Sequence, residues 1–232
     1  MTIKAILFDK DGTLLDYHAT WTPVNLQAAQ VASGCDAALA ARLLTLADAD
    51  PETGRAHAGG LLAAGNTAEI ADAWISGGAA MPRAALINRI DRIFTDAMRS
   101  AVPIEGGFEA IRALHARGYK MGVASSDSEK AIGVFLDSAG LAPYFDFIAG
   151  YDSGHGHKPD PRALLAFCQT MRIAPDAAAM VGDNIQDLQL ARAGGAGRAV
   201  GVLSGTGTQT VLKPLADIVI PDISQLGAGG VL

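Results

Sequence analysis

From about Gly118 onward, short apolar runs alternate with helical patterns, and this alternation narrows the folds open to the chain more than any other feature. Tyr119 to Ala124 is followed by a helical pattern from Ser128 to Ala139, and Phe145 to Ala149 by one from Pro161 to Met171. Ala177 to Val181, Ile185 to Ala193, Ala199 to Val202 and Ile218 to Ile220 continue the series. Such βαβα order implies an α/β protein: a Rossmann-like, doubly wound, mainly parallel sheet with helices on both faces. Ligands on such sheets bind beyond the carboxyl ends of the strands, so the residues that directly follow each apolar run carry the chemistry.

Ile3 to Phe8 reads as the first strand of the same sheet, and between about Asp16 and Ser100 the character changes. That stretch has helical periodicity and Ala-rich runs but no convincing strand. Leu39, Leu43, Leu44 and Leu46 cluster on one helical face, as do Ile87, Ile90, Ile93 and Phe94, and both clusters read as core. Gly59-Gly60, Gly65 and Gly77-Gly78 punctuate it into four helices. A helical insertion after the first strand can close over the strand ends as a lid. The expected organisation is an α/β core domain from residues 1–15 and 101–232 and an all-helical cap domain from residues 16–100. The tail Gly227 to Gly230 reads as loose.

With 232 residues the chain is long enough to bury a substantial core. Its formal net charge of −6 argues against broad electrostatic binding to nucleic acid or anionic membranes, so an anionic ligand must be met locally. No apolar stretch reaches the length needed to span a bilayer. Cys35 and Cys168 are too few and too far apart to read as a disulfide framework or a zinc site. The N-terminus runs straight into the first strand without a signal-peptide pattern. A soluble cytoplasmic protein, monomeric or homodimeric, is the expectation.

Four motifs fall where strands end. In Asp9-Lys10-Asp11-Gly12-Thr13, a carboxylate can attack phosphorus directly, and a second one two residues on can pass a proton to the leaving oxygen and later take one from water. Gly12 lets the backbone turn its N–H groups toward a phosphate, although an Asp/Gly turn after a strand is also common in its own right. Ser125-Ser126-Asp127 offers hydroxyls and N–H groups for phosphate oxygens, and its residues are equally good helix caps; both readings hold together with Ser125 on the ligand and Ser126 or Asp127 as the cap. Lys158, fixed by Pro159, can neutralise a phosphoryl group and a carboxylate together, while His155 and His157 beside it read first as loop residues. Asp183 and Asp187 stand one helical turn apart and suit Mg²⁺, although an N-cap and a surface Asp would give the same spacing.

The four motifs together resemble the haloacid dehalogenase superfamily of phosphohydrolases, in the layout that carries a helical cap after the first motif. The resemblance covers nearly the whole chain. It implies Asp9 as nucleophile, Asp11 as general acid and base, and Ser125 and Lys158 as phosphate ligands, with Gly12 and Ser126 beside them. It implies Mg²⁺ held by Asp9, the Asp11 carbonyl and Asp183, with Asp187 in support. Lys10 is expected to be structural, its side chain alternating away from the two aspartates. Asp11 argues for phosphoryl transfer over dehalogenation, because a halide leaving group needs no proton. The absence of Lys between Lys10 and Lys120 removes the amine that a Schiff-base phosphonatase needs in its cap. Phe8 to Leu14 and Ala216 to Ile220 look most like phosphoglycolate phosphatase-type members. The implied activity is Mg²⁺-dependent hydrolysis of a small phosphorylated metabolite, with a phosphomutase of the β-phosphoglucomutase type as the nearer alternative and a non-catalytic phosphate-binding module as the remote one. Cap candidates for substrate contact are Thr20, Trp21, Arg55 and His57; Trp21 can instead be hinge packing, and Arg55 a solvated charge that would otherwise pair with a substrate carboxylate.

Overall fold

The computed structural model describes residues 2–232. Among them a six-stranded sheet has the order β3-β2-β1-β4-β5-β6 and every pairing parallel. Its strands are β1 (Ala5–Phe8), β2 (Lys120–Ala124), β3 (Phe147–Ala149), β4 (Ala178–Gly182), β5 (Arg198–Val202) and β6 (Ile218–Ile220). Phe8 lies opposite both Val123 and Val181, and Asp9 N–H continues the ladder to the Val181 carbonyl at 2.8 Å. This register brings the chain that follows β1, β2 and β4 to one edge of the sheet. Strand order reverses direction at β1, between β2 and β4, which is where an open α/β sheet leaves a crevice.

Between β1 and β2 the described residues form α1 (Tyr17–Ala32), α2 (Ala37–Leu46), α3 (Leu61–Ala64), α4 (Thr67–Ser76) and α5 (Arg83–Ala97), then a sheet-flanking helix, α6 (Gly107–Ala116). The insertion thus has five helices where glycine spacing predicts four, because Gly60 and Gly65 bracket a single turn, α3, too short for periodicity to register. Asp16 caps α1 through Ala19 N–H, and Asn66 with Glu69 forms a capping box on α4. The insertion buries its own apolar centre: Trp74 is fully enclosed and donates its indole N–H to the Leu43 carbonyl at 2.9 Å. Leu46, expected in the core, is 46% exposed. It occupies the last position of α2, at the rim beside Gly77. The insertion leaves and rejoins the sheet-bearing part side by side, with Asp16 N–H bonded to the Val102 carbonyl and Leu15 bridged to Pro103.

Side-chain alternation splits the strands between two apolar layers. Ile6 and Phe8 of β1 face the layer that holds α6 and α7 (Glu129–Ser138), while Ala5 and Leu7 face α8 (Arg162–Met171), α9 (Ile185–Gly194) and α10 (Gln209–Leu212). The cap of α7 is Ser128, through Ala131 N–H at 3.2 Å, rather than Ser126 or Asp127. The tail is less loose than its glycines suggest, since Val231 is buried in the first layer. No helix among the described residues is long and apolar enough to cross a membrane.

Candidate active site

Asp9, at the first position past β1, is buried, and Lys158 Nζ lies 2.5 Å from its Oδ1 and 2.7 Å from Asp187 Oδ1. Lys158 reaches this point from the loop between β3 and α8, next to a cis peptide bond to Pro159. Asp187 is the third residue of α9 and fully buried; its Oδ2 accepts from Asn184 N–H at 3.0 Å, so the capping box of α9 fixes the carboxylate that holds the lysine. Asp183 does not cap α9; Asn184 does. The Asp183 carboxylate instead accepts from Thr206 N–H at 2.6 Å and from its hydroxyl at 3.2 Å.

Thr206 was not among the sequence candidates. Its signal is a fifth strand end: Ser204-Gly205-Thr206-Gly207 follows β5 and folds over the crevice. The fit there is tight enough to exclude side chains. Gly12 has φ +80°, and a Cβ on it would stand 2.6 Å from the Gly205 Cα and 2.8 Å from Asp183 Oδ2. Ser204 Oγ holds the same turn through the Gly12 carbonyl at 2.7 Å.

One ligand atom each from Asp9, Asp183 and Asp187 lies within 4.8 Å of the others. Three carboxylates against the single ammonium of Lys158 leave two negative charges in a buried site. Burial pushes the Asp9 carboxyl well above its usual range; Lys158 opposes this, and Asp187, Asp183 and Asp11 add to it. Asp183 is pushed up to about 7, first by burial and then by Asp187, against the Thr206 hydrogen bonds. Lys158 is held above its ordinary value, because Asp187 and Asp9 outweigh its burial. A hard, doubly charged cation with oxygen preference matches this donor set and its charge deficit.

Asp11 points elsewhere. Its Oδ1 accepts from the Trp21 indole N–H at 2.6 Å and from Lys10 Nζ at 2.5 Å, and its Oδ2 from Ser125 Oγ at 3.2 Å. Its side chain is outside the three-carboxylate group. Lys10, expected to alternate away, curls back because Asp11 lies past the end of β1. Fully enclosed, its Nζ also stands 3.0 Å from Asp127 Oδ2, without hydrogen-bond alignment, and lies 5.2 Å from the Trp21 ring centroid and 5.9 Å from that of Phe135. Burial pushes Asp127 up to about 6, with Lys10 opposing.

The helical insertion is closed over these groups. Ser126 Oγ donates to the Ala64 carbonyl at 3.1 Å, and Tyr151 OH to Asp91 Oδ2 at 2.8 Å. The void above Asp9, Asp11 and Asp183 is about 30 Å³, and one between Asp11 and Trp21 about 40 Å³, room for water only. A cavity of about 320 Å³ adjoins the first and shares Ala64, Ser126, Lys158 and Gln186 with it. Of the cap candidates, Trp21 reaches Asp11 and packs edge-to-face on Phe94 at 4.8 Å. Thr20 instead accepts from Val102 N–H at 3.0 Å, where the chain rejoins the sheet. Arg55 and His57 are exposed and line none of these spaces. His157 does line the large cavity, stacked on Tyr151 at 6.5 Å with Nδ1 3.5 Å from Asn66 Nδ2.

Residues 3–195 match the family model of haloacid dehalogenase-like hydrolases. Over 220 residues the chain is 29% identical to a phosphoglycolate phosphatase of Pseudomonas putida, covering 87% of this chain and 70% of that protein. Over 93 residues it is 34% identical to a phosphoglycolate phosphatase of Thiobacillus denitrificans, covering 40% of this chain and 41% of that one, so the chain matches under half the length of this second relative. The fold is similar to that of CbbY from Rhodobacter sphaeroides in complex with phosphate, with a TM-score of 0.73, 19% identity and 97% of both chains covered.

Proposed function

The chain belongs to the haloacid dehalogenase-like hydrolases, and from that premise we propose that it is a Mg²⁺-dependent phosphatase acting on a small phosphomonoester, phosphoglycolate-like or a sugar phosphate. The observation that carries this reading is the buried group Asp9, Asp183 and Asp187 with Lys158 bonded to Asp9 and Asp187. A nucleophile, a fixed cation and an unmet demand for positive charge stand together at the crevice of the sheet.

In this reading Asp9 attacks phosphorus in line and forms an aspartyl-phosphate, while the P–O bond to the alcohol breaks and Asp11 gives that oxygen a proton. Asp11 then takes a proton from water, which attacks the phosphoenzyme and releases inorganic phosphate. Lys158 offsets the repulsion between carboxylate and phosphoryl oxygens. Asp9, Asp183 and Asp187, with the Asp11 carbonyl, would hold Mg²⁺, which supplies further charge neutralisation when bound. Ser125, Ser126 and the Gly12 turn face the phosphoryl oxygens. Residues 16–100 act as a lid whose opening admits substrate, since the closed site over Asp9 has room for water alone.

Phosphate release from purified protein with and without Mg²⁺, across phosphoglycolate, sugar phosphates and nucleotides, tests the reading. Interconversion of sugar phosphates without net release would assign a mutase instead.

A further inference from the structure

The alcohol leaving group needs a space beside the phosphoryl site, and the cavity of about 320 Å³ shares Ser126, Lys158 and Gln186 with the void over Asp9. Its volume lies at the small end for ligand sites. The insertion supplies Asn66, Glu69 and the bare backbone of Gly60, and the sheet-bearing part supplies Tyr151, His157 and Gln186.

Among the described residues no arginine lines this cavity, and its only lysine is Lys158, committed to Asp9 and Asp187. Arg55 is exposed elsewhere. Arg162 comes close to Gly156 at the rim but is held by Asp160, with Nη2 2.8 Å from Oδ2 and Nε 3.0 Å from both carboxylate oxygens. A substrate carboxylate placed here would find no guanidinium fork to receive it and would face Glu69, a carboxylate of the same sign. Glu69 uses Oε2 to cap α4 through Asn66 N–H at 2.9 Å, which leaves its other oxygen as an acceptor. The amides of Asn66 and Gln186 add neutral donors and acceptors around it, and His157 adds its ring nitrogens.

We infer that the leaving group is an uncharged alcohol carrying several hydroxyls, and that a carboxylate-bearing ester such as phosphoglycolate is a poor substrate. The inference rests on the phosphatase reading above. Glu69 and Asn66 are its specificity groups: they bind hydroxyls and reject a second anionic group.

The test is kcat/KM of the full chain with Mg²⁺ on glycerol 3-phosphate, hexose 6-phosphates, phosphoglycolate and the generic ester p-nitrophenyl phosphate. At least one polyol ester should exceed phosphoglycolate by about tenfold or more, a threshold well below the full discrimination of a site built to hydrogen-bond a substrate hydroxyl. Phosphoglycolate turned over as well as the best polyol ester overturns the inference and leaves the phosphatase reading standing. Failure of every ester, p-nitrophenyl phosphate included, overturns the phosphatase reading and the inference with it. Glu69→Gln retains an N3 capping side chain, so it keeps α4 intact, as thermal unfolding will register. It should shift the kcat/KM ratio toward phosphoglycolate severalfold, chiefly through KM; an unchanged ratio removes Glu69 from specificity and with it the basis of the inference.

Discussion

Two lysines, Lys158 and Lys10, each stand between two aspartates, yet their surroundings differ in a way that separates chemistry from support. Lys158 joins Asp9 and Asp187, with Asp183 close by, so three carboxylates share one ammonium beside a void that shares lining residues with the cavity of about 320 Å³. Lys10 joins Asp11 and Asp127, and Trp21 and Phe135 close over it. The first cluster has two unbalanced negative charges and access to a ligand; the second has one, and aromatic faces in place of a cation site. Excess negative charge next to open space is what the proposed cation would offset. In the second, the fully enclosed Lys10, between Asp127 and Asp11, instead fixes the orientation of Asp11, which itself reaches the void.

The comparison breaks first at Asp9. Asp9→Asn should lower phosphate release by about 10⁴-fold or more while leaving thermal unfolding close to wild type, as expected for a lost nucleophile; near-normal turnover would remove Asp9 from that role. Lys158→Met should cost about 10²- to 10³-fold in kcat, the scale of a lost electrostatic contact to the reacting group. Lys10→Met should act mainly on folding, losing about 3–5 kcal/mol in urea unfolding because Asp127 stays buried, and Asp11 half-buried, without their cation. If Lys10→Met instead matched Lys158→Met in kcat at unchanged stability, the division between the clusters would collapse.

Mg²⁺ sharpens the contrast through pH. Burial, with Asp187, raises Asp183 from 3.8 to about 7, so between those values the folded state binds a proton that the unfolded chain has released. Its contribution to stability is therefore full below the lower value and is lost as pH rises through the upper one. If Mg²⁺ occupies this group as proposed, it takes the place of that proton, so the rise in Tm that it produces should be larger near pH 8 than near pH 5. Scanning calorimetry at the two pH values checks this, and a metal effect that shrinks with rising pH would contradict it. The smallest effect is expected at the closure contact: Tyr151→Phe removes the half-buried bond to Asp91 and should raise KM a few-fold, with kcat little changed, on the scale of about 0.5–1.5 kcal/mol for a typical hydrogen bond.

Strand positions were legible because buried parallel strands are continuous apolar runs, and β2, β4 and β5 fall within a residue of the runs that predict them. The single-turn α3 left no periodic trace, and Leu46 carries a core-like residue type at a helix end on the rim. The motif residues Asp9, Ser125 and Asp183 stand out because each follows an apolar run within two residues, and Lys158 because the polar loop that holds it, with Pro159, joins such a run to the next helix. Asn66, Glu69 and Thr206 do not stand out, since cap and turn residues of those types occur at every helix end and loop.

The sequence by itself determined the sheet, the inserted helices and the set of carboxylates at the strand ends, because periodicity and strand-end position are local properties of the chain. Only the tertiary structure decided which lysine meets which aspartate, that Trp21 reaches Asp11 while Arg55 stays in solvent, and that Asn66 and Glu69 face Tyr151 and His157. Those pairings join residues distant along the chain, as Lys158 is from Asp9, and packing and charge compensation across the crevice select them.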